Sequence, residues 1–391
     1  MKTTLHTRAG CDSFLLFAAL CAATLVAVWV PWFLGLIGLE MAFSPSSWHA
    51  HELLFGFMPV IVGSVLLTAV GNRTERRPLA AWPFAALIAV WIVGRLGVAG
   101  SAALEPLTVA LLALLFPAAL IPVAGWKFLL TKNGRSLTIL TVLAALVGAQ
   151  SLFHWELWRF GRSVHGTSLA VAALLTWTML GGGIIPDGRG ITPSLAGKRR
   201  KARGNPLRHV RSTLFNRVAM GLGLLALATW ILREDGVLDE RLTGALLLAA
   251  GFTQTARLAR WRPHRAPSGL PVFVLHVART FIPAGFLLAA WASLGGDTAF
   301  NAAALHAWTM GAVGGMTLAV MMTQSTLAHN RHALTTSRLS TGIHLAVAAA
   351  ACACIAASLD PQHTMLLIPL AGVLWIAAFL MLALVYGRKS A

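Results

Sequence analysis

Apolar stretches of about 20 residues follow one another along almost the whole chain, separated by short breaks that contain charges, glycine or proline. A helix of this length crosses the hydrocarbon core of a membrane and keeps its own backbone polar groups hydrogen bonded. The pattern predicts an all-α polytopic membrane protein with about 12 transmembrane helices. The predicted spans are 13–39, 49–70, 79–100, 104–126, 137–157, 164–186, 214–232, 241–259, 270–293, 301–325, 339–358 and 364–387.

The overall composition agrees with this prediction. Hydrophobic residues make up 57% of the chain and charged residues 11%, and the mean hydropathy is +0.73, which excludes an ordinary soluble domain. The net charge of +18 would suit a nucleic-acid partner if the basic residues formed a soluble patch. They lie instead in the short breaks between apolar stretches, so we expect no nucleic-acid binding and interpret them as signals of membrane orientation.

The basic residues are concentrated in alternate breaks and at both ends of the chain. The remaining breaks, which lie on the opposite side of the membrane, hold most of the acidic residues and only four basic ones. These four are Arg159, Arg162, Arg233 and Arg241. Because Lys and Arg accumulate on the cytoplasmic side of membrane proteins, the asymmetry predicts an even number of spans and cytoplasmic termini. We call the side with few basic residues the outer side.

The longest break is a basic segment, residues 187–213, which contains Lys198-Arg199-Arg200-Lys201. It divides a single transmembrane domain, residues 1–391, into two six-helix halves, 1–186 and 214–391. Two interpretations stay open for this cytoplasmic loop. It can face anionic membrane lipid and fix the orientation, or it can bind a protein or serve regulation.

Histidine is the residue type most informative about chemistry, since six of the histidines fall in the outer third of the predicted spans. They are His49, His51, His154, His165, His306 and His363. Neutral imidazole is the commonest protein ligand of haem iron and copper, and histidines from facing helices can take both axial positions of a haem. A single histidine at a membrane face is more often an ordinary hydrogen-bonded group. Six on one side favour a haem site, a copper site or both.

The start of the second span combines two histidines with an acid. On a regular helix His49 and His51 are separated by about 200°, so they cannot both ligate one metal. Either the two histidines bind two different metal centres, or one of them lies outside the first turn of the second helix. Glu52 follows His49 at a spacing of three and shares its face, where a carboxylate orients an imidazole or relays a proton. The alternative is that Glu52 only favours the helix amino terminus.

Four further residues are candidates for the same chemistry or for a second polar site. Met310 shares a helix face with His306 and is either a soft metal ligand or a packing residue. Arg95 and Arg279 lie inside spans and each needs an anionic partner, for which haem propionates are natural candidates. His276 shares a face with Arg279 near the inner side, which gives a second candidate metal site.

Some motifs are absent from the sequence. It contains no Walker loop, no GxGxxG after a strand, no nucleophile elbow and no HExxH helix. No acid lies at the middle of a predicted span, which argues against a carboxylate that couples transport to protons or sodium. A secondary transporter of a small metabolite nevertheless stays open as an alternative, because twelve spans in two halves is an ordinary transporter layout.

Two segments carry a resemblance to a known family. One is Trp48-His49-Ala50-His51-Glu52 with its continuation to Phe57, and the other is residues 305–323, which begin Leu305-His306-Ala307-Trp308. Both resemble the NnrS family of membrane proteins associated with the bacterial nitric oxide response. The resemblance implies a twelve-span bacterial inner-membrane protein that holds haem, expected to be b-type, and copper, and that protects cells against nitric oxide and nitrosative stress.

The twelve-span plan also resembles the catalytic subunit of haem–copper oxidases and nitric oxide reductases, which take haem ligands from spans two and ten. This analogy places His49 or His51 opposite His306 across a haem. One departure is that span seven contains no histidine, where the oxidases have paired histidines at copper.

The resemblance thus implies a protein that binds or detoxifies nitric oxide. If it is an enzyme, the expected activity is that of a nitric oxide reductase that takes electrons from quinol or another donor. Glu52 is the candidate catalytic residue. The candidate cofactor-binding residues are His49, His51, His306, Arg95 and Met310. The candidate metal ligands are His49, His51, His306, His165, His154 and His276. Besides the transporter, a haem-based sensor of nitric oxide stays open as an alternative.

Overall fold

The computed structural model describes residues 2–71, 81–131, 134–180, 214–260, 270–329 and 338–390. This part of the chain forms twelve long helices, α1 to α12, which confirms the predicted all-α class and helix number. In chain order they are α1 Lys2–Phe33, α2 Pro45–His51 continuing as Glu52–Phe57 and Met58–Gly71, α3 Ala81–Ala99, α4 Pro106–Thr131, α5 Gly134–Phe160, α6 His165–Met179, α7 Leu214–Leu232, α8 Glu240–Arg260, α9 Leu270–Gly295, α10 Ala299–His306 continuing as Ala307–Gly314 and Gly315–His329, α11 Arg338–Leu359 and α12 Thr364–Ser390.

Nine of the described helices are long and apolar enough to cross a membrane, judged by length and composition. A shorter apolar stretch, Ala85–Ala99, lies in α3. The protein is therefore a multi-pass membrane protein. The predicted basic loop 187–213 lies outside the described residues, and the division into two halves and the cytoplasmic termini stay predictions.

The connection between α1 and α2 differs from the predicted boundary. The apolar residues that follow Phe33 extend the hydropathy pattern to residue 39, but the helix ends earlier, where Gly35 takes a left-handed conformation with φ of 72°. The next helix begins at Pro45, and the Ser44 hydroxyl accepts a hydrogen bond from the backbone N–H of Ser47. His49 and His51 consequently lie in the second turn of α2 rather than in its first.

Three helices occupy the centre of the bundle. The membrane-spanning windows of α2 and α10 are 83% and 78% buried, whereas those of the other seven candidate spans are 33–56% buried. α6 contacts both α2 and α10, and these two also contact each other. The chain neighbours α3 to α5, α7 to α9, and α11, α12 and α1 pack side by side around them. Side chains on α2 and α10 are thus the best placed to form a site shielded from lipid and water.

Each of these two central helices contains a π-helical segment. Glu52–Phe57 forms one directly after His51, and Ala307–Gly314 forms the other directly after His306. A π-helical turn holds more residues than an α-helical turn, so side chains beyond it point in directions that regular helix spacing does not predict. Such segments are frequent at functional sites. Both therefore favour a functional site at the outer ends of α2 and α10.

Buried indoles hold neighbouring helices together. Trp91 Nε1 of α3 donates to the carbonyl of Gly56 at 2.8 Å, Trp308 Nε1 of α10 to Ile282 at 3.2 Å, and Trp375 Nε1 of α12 to Ala22 at 3.0 Å. A buried N–H inside a bilayer requires an internal acceptor, so these bonds stabilise specific pairs of helices.

Candidate functional site

The six outer histidines of the sequence analysis all lie at one end of the bundle. Successive helices run in opposite directions, so alternate connections lie at the same end of the bundle. The end with the histidines holds the connections at residues 34–44, 161–164 and 296–298 and the turn before α12. The histidines divide into three settings. His51 contacts His154, His49 lies near His306, and His165 and His363 each pair with an acid.

His51 is fully buried and both of its ring nitrogens have partners. Its Nδ1 lies 3.1 Å from Glu52 Oε1, and its Nε2 lies 3.1 Å from His154 Nε2 and 3.4 Å from the amide nitrogen of Gln150. A carboxylate can only accept, so the Nδ1–H of His51 donates to Glu52. In the neutral ring the lone pair is then on Nε2, directed toward His154.

Glu52 forms a buried ion pair with Arg95. Arg95 Nη1 lies 2.5 Å from Glu52 Oε1, and the side chains are 13% and 3% exposed, respectively. The guanidinium carbon also lies 5.7 Å from the centre of the Trp91 ring. The anionic partner that Arg95 requires is therefore Glu52, and the Glu52 carboxylate is held by two donors, Arg95 and His51.

The expected pairing of Glu52 with His49 is wrong. Glu52 bonds instead to His51, the adjacent residue, and to Arg95. The expectation that His49 and His51 point to different places is confirmed, since His49 stacks on Trp29 with ring centres 3.9 Å apart.

Three phenylalanine rings surround His51. The ring centres of Phe43, Phe55 and Phe153 lie 5.4, 5.5 and 5.4 Å from that of His51. All three phenylalanines are buried. Aromatic walls on several sides exclude water and lower the local dielectric, which strengthens the ion pair and the hydrogen bonds of His51.

His306 on α10 lies within the range of electrostatic interaction of His49 on α2. Its Nδ1 is 2.9 Å from the hydroxyl of Ser358, and that hydroxyl donates its proton to the carbonyl of Cys354 at 2.9 Å. The Ser358 oxygen must therefore accept from His306, which places the ring proton on Nδ1. In the neutral ring Nε2 carries a lone pair, which is the arrangement of histidines that ligate metals.

His49 and His306 are both partly buried, so each residue keeps part of its surface accessible. Next to His49, the indole Nε1 of Trp29 is buried and has no hydrogen-bond partner in the described part of the chain. An unsatisfied buried donor requires an explanation, and a bound group with an acceptor atom provides one.

The two remaining outer histidines each pair with an acid. His165 Nδ1 lies 2.6 Å from Glu156, whose carboxylate also accepts from the backbone of Gly166 at 2.9 Å and so caps the start of α6. His363 is exposed, and its hydrogen bond to Asp360 at 2.7 Å holds the pKa of Asp360 below its usual value. Both histidines therefore have an acidic hydrogen-bond partner, and a metal-ligand role for His165 stays a prediction.

The other candidates are also placed by the structure. Met310 lies in the π-helical segment after His306 and packs, partly buried, against the core. His276 lies on α9 toward the opposite end, within electrostatic range of Arg279. In the residues that the structure describes, no group of three or more His, Cys, Asp or Glu side chains is arranged to hold a metal ion. The ligand candidates are thus two pairs, His51 with His154 and His49 with His306.

Sequence reasoning missed several residues of the site. Gln150 lies one helical turn before His154 in an otherwise apolar stretch, and this isolated amide was an available signal. Ser358, Trp29 and Phe43 carry no comparable signal in the sequence, because their roles come from contacts between distant segments.

Replacing Gly56 with alanine is expected to destabilise the site. A Cβ atom there would lie 2.7 Å from Arg95 Nη1 and 3.0 Å from Glu52 Oε2, so the ion pair must move. We expect a loss of about 1–3 kcal/mol in the free energy of unfolding, measured in detergent. Gly148→Ala is the control, because nothing lies within 4 Å of the Cβ it adds. Equal stability of the two variants would show that the ion pair tolerates displacement.

The chain is similar to a known protein family along nearly its whole length. No curated protein matches it. A family described as NnrS protein matches residues 8–389. This is nearly the whole chain, so the protein belongs to the NnrS family, and this membership supports a role in the nitric oxide response.

Proposed function

We propose that the protein holds a haem, expected to be b-type, between α2 and α10 and uses it to capture nitric oxide in the bacterial inner membrane. The observation that carries the proposal is that His49 and His306 lie on the two central helices, within electrostatic range of each other. Histidine is a usual protein ligand of haem iron, and a single histidine ligand, His306, would leave a coordination position for nitric oxide. The accessible surface of both residues and the unsatisfied Trp29 Nε1 support the fit of a haem.

The chain's own residues have defined tasks in this proposal. Ser358 fixes the proton of His306 on Nδ1, so that Nε2 presents its lone pair to iron. Trp29 stacks on His49 and fixes the plane of that ring. Haem iron, when bound, supplies the affinity for nitric oxide, and the apolar surroundings admit an uncharged gas while excluding water.

We assign the copper that the family resemblance implies to His51 and His154. Their Nε2 atoms converge at 3.1 Å, and imidazole nitrogen is a suitable copper ligand. Glu52 accepts the Nδ1–H of His51 and thereby orients the ring, as carboxylates do behind metal-bound histidines. The buried Gln150 carbonyl oxygen has no partner in the described part of the chain and is a candidate third ligand.

The role of Glu52 in this proposal is to position His51. Its carboxylate is held by Arg95 and His51 at the same oxygen, Oε1. A carboxylate held in this way orients an imidazole and balances the charge of a bound cation. Reduction of nitric oxide would in addition require a proton donor and an electron donor such as quinol.

The proposed orientation places the candidate site at the periplasmic end. The support is the charge asymmetry of the sequence, with basic residues concentrated at the opposite end and at both termini.

Absorption spectra of the purified protein test the proposal directly. Protein made in haem-replete cells is expected to show a Soret band that shifts when nitric oxide is added without oxygen, and metal analysis is expected to find iron and copper. The absence of both the band and stoichiometric metal would overturn the proposal. Anaerobic consumption of nitric oxide with a quinol as reductant would identify a reductase, whereas binding without consumption would identify a capture protein.

A further inference from the structure

A small cavity lies between α6, α8 and α9, toward the end of the bundle opposite the histidines. Two basic residues line it, Arg257 in the last turn of α8 and Arg279 of α9. Gln254 and apolar side chains form the rest of its wall. The centre of a water-sized sphere can move within about 30 Å³ of the cavity. One water needs about 10–15 Å³ on this measure, so the cavity has room for about two water-sized groups.

The guanidinium of Arg257 has only neutral partners in the described part of the chain. Its Nη1 lies 3.1 Å from Met220 Sδ and 3.4 Å from Gln254 Oε1, and its Nη2 donates to the carbonyl of Met179 at 3.2 Å. An arginine has five N–H groups, so two of them remain for a further acceptor. A partly buried cation in a membrane protein is unfavourable without an anion nearby.

The distribution of charge favours an anion at this position. Arg279 lies within electrostatic range of Arg257, and two like charges repel each other strongly where little water separates them. The acidic side chains that the structure describes all lie toward the histidine end, and they are Glu40, Glu52, Glu105, Glu156, Glu234, Asp239, Glu240, Asp297 and Asp360. None of these carboxylates is close to Arg257. A bound anion would reduce the repulsion between the two guanidiniums.

We propose that this cavity binds the carboxylate of a small monoanion of the size of formate, between Arg257 and Arg279. The two oxygens of a carboxylate match the room for two water-sized groups. They also match the two remaining N–H groups of Arg257, because arginine binds a carboxylate with two parallel hydrogen bonds. Both arginines are partly exposed, so the ligand can reach them. In the proposed orientation it comes from the cytoplasm, and its binding does not depend on haem.

Charge and size together determine which ligands the cavity selects. Formamide has nearly the shape of formate but no charge, so it does not reduce the repulsion between the arginines. Sulfate carries two charges but is larger than the space available. The site is therefore expected to prefer formate to both, whereas a nonspecific basic surface would prefer sulfate.

Binding of these three compounds tests the proposal. The full-length protein is kept in a nonionic detergent without chloride, at an ionic strength held constant with sodium gluconate. Saturation-transfer NMR of the formate C–H proton measures the dissociation constant. We expect saturable binding of formate, at least about tenfold weaker binding of formamide, and little displacement of formate by an equal concentration of sulfate. Absence of saturable formate binding, equal affinity for formamide, or tighter binding of sulfate would overturn the proposal.

Three variants locate the site. Arg257→Gln removes one charge and is expected to weaken formate binding by at least about tenfold. Gln254→Glu places a carboxylate beside Arg257 Nη1 and is expected to abolish formate binding. Arg260→Gln is the matched control, because this exposed arginine lies one turn later, over the Phe215 ring, and does not line the cavity. Unchanged formate affinity in both cavity variants, or an equal loss in the control, would contradict the assignment.

Discussion

His306→Ala is expected to yield protein without haem, whereas His363→Ala is expected to keep the haem content of the unmodified protein. His306 lies on a central helix within electrostatic range of His49, and its proton is on Nδ1, so that Nε2 carries the lone pair of the neutral ring. His363 is exposed and bonded to Asp360. The measurement is haem per protein from the pyridine haemochrome spectrum. Equal haem content in the two variants would refute His306 as a ligand.

Ser358→Ala tests whether haem binding needs only the His306 imidazole or also the hydrogen bond that orients it. The variant keeps the imidazole but removes the hydroxyl that accepts from Nδ1. Partners of this kind typically contribute tenfold to hundredfold in metal affinity, so we expect weaker haem retention by about that factor. A Soret band of unchanged position and intensity would show that Ser358 does not orient the ligand.

Arg95→Leu is expected to lower the free energy of unfolding by about 3–5 kcal/mol, because it leaves the buried Glu52 carboxylate without its counter-ion. Glu52→Gln, which leaves the guanidinium unpaired, is expected to cost a similar amount. The double variant is expected to be more stable than the sum of the two losses predicts, by about 1–3 kcal/mol. Unfolding by sodium dodecyl sulfate in mixed micelles measures these differences.

Arg162→Leu is the matched control for Arg95→Leu. Arg162 is exposed in the connection between α5 and α6, so its removal is expected to change stability by less than about 0.5 kcal/mol. Strictly additive losses for Arg95 and Glu52 would show that the two side chains do not stabilise each other.

Much of the fold could be predicted from hydropathy and charge. The length and apolarity of the spans identified twelve helices, because the absence of water in a bilayer leaves a chain few alternatives to continuous helix. The segment after Phe33 could not be placed correctly in the same way, since its residues are as apolar as those of the helix. There the local conformation of Gly35 and the cap at Ser44 determine where helix ends and begins.

The candidate site was predictable only in part. The angle between successive helical residues correctly separated His49 from His51, and the rarity of acids in spans identified Glu52. The partner of Glu52 was not predictable, because adjacent residues on a helix are not expected to face each other. Arg95 and Ser358 acquire their roles from contacts across long sequence separations, which no local pattern records.

The two π-helical segments also affect how this chain tolerates changes in length. Deleting one residue from an α-helix turns everything beyond the deletion by about 100° and misdirects its packing face. A π-helical segment holds an additional residue, so a deletion inside Glu52–Phe57 or Ala307–Gly314 can be absorbed by a return to α-helix. Near His51 and His306 the protein can therefore shorten without losing its fold, but the side chains of the site would then point elsewhere.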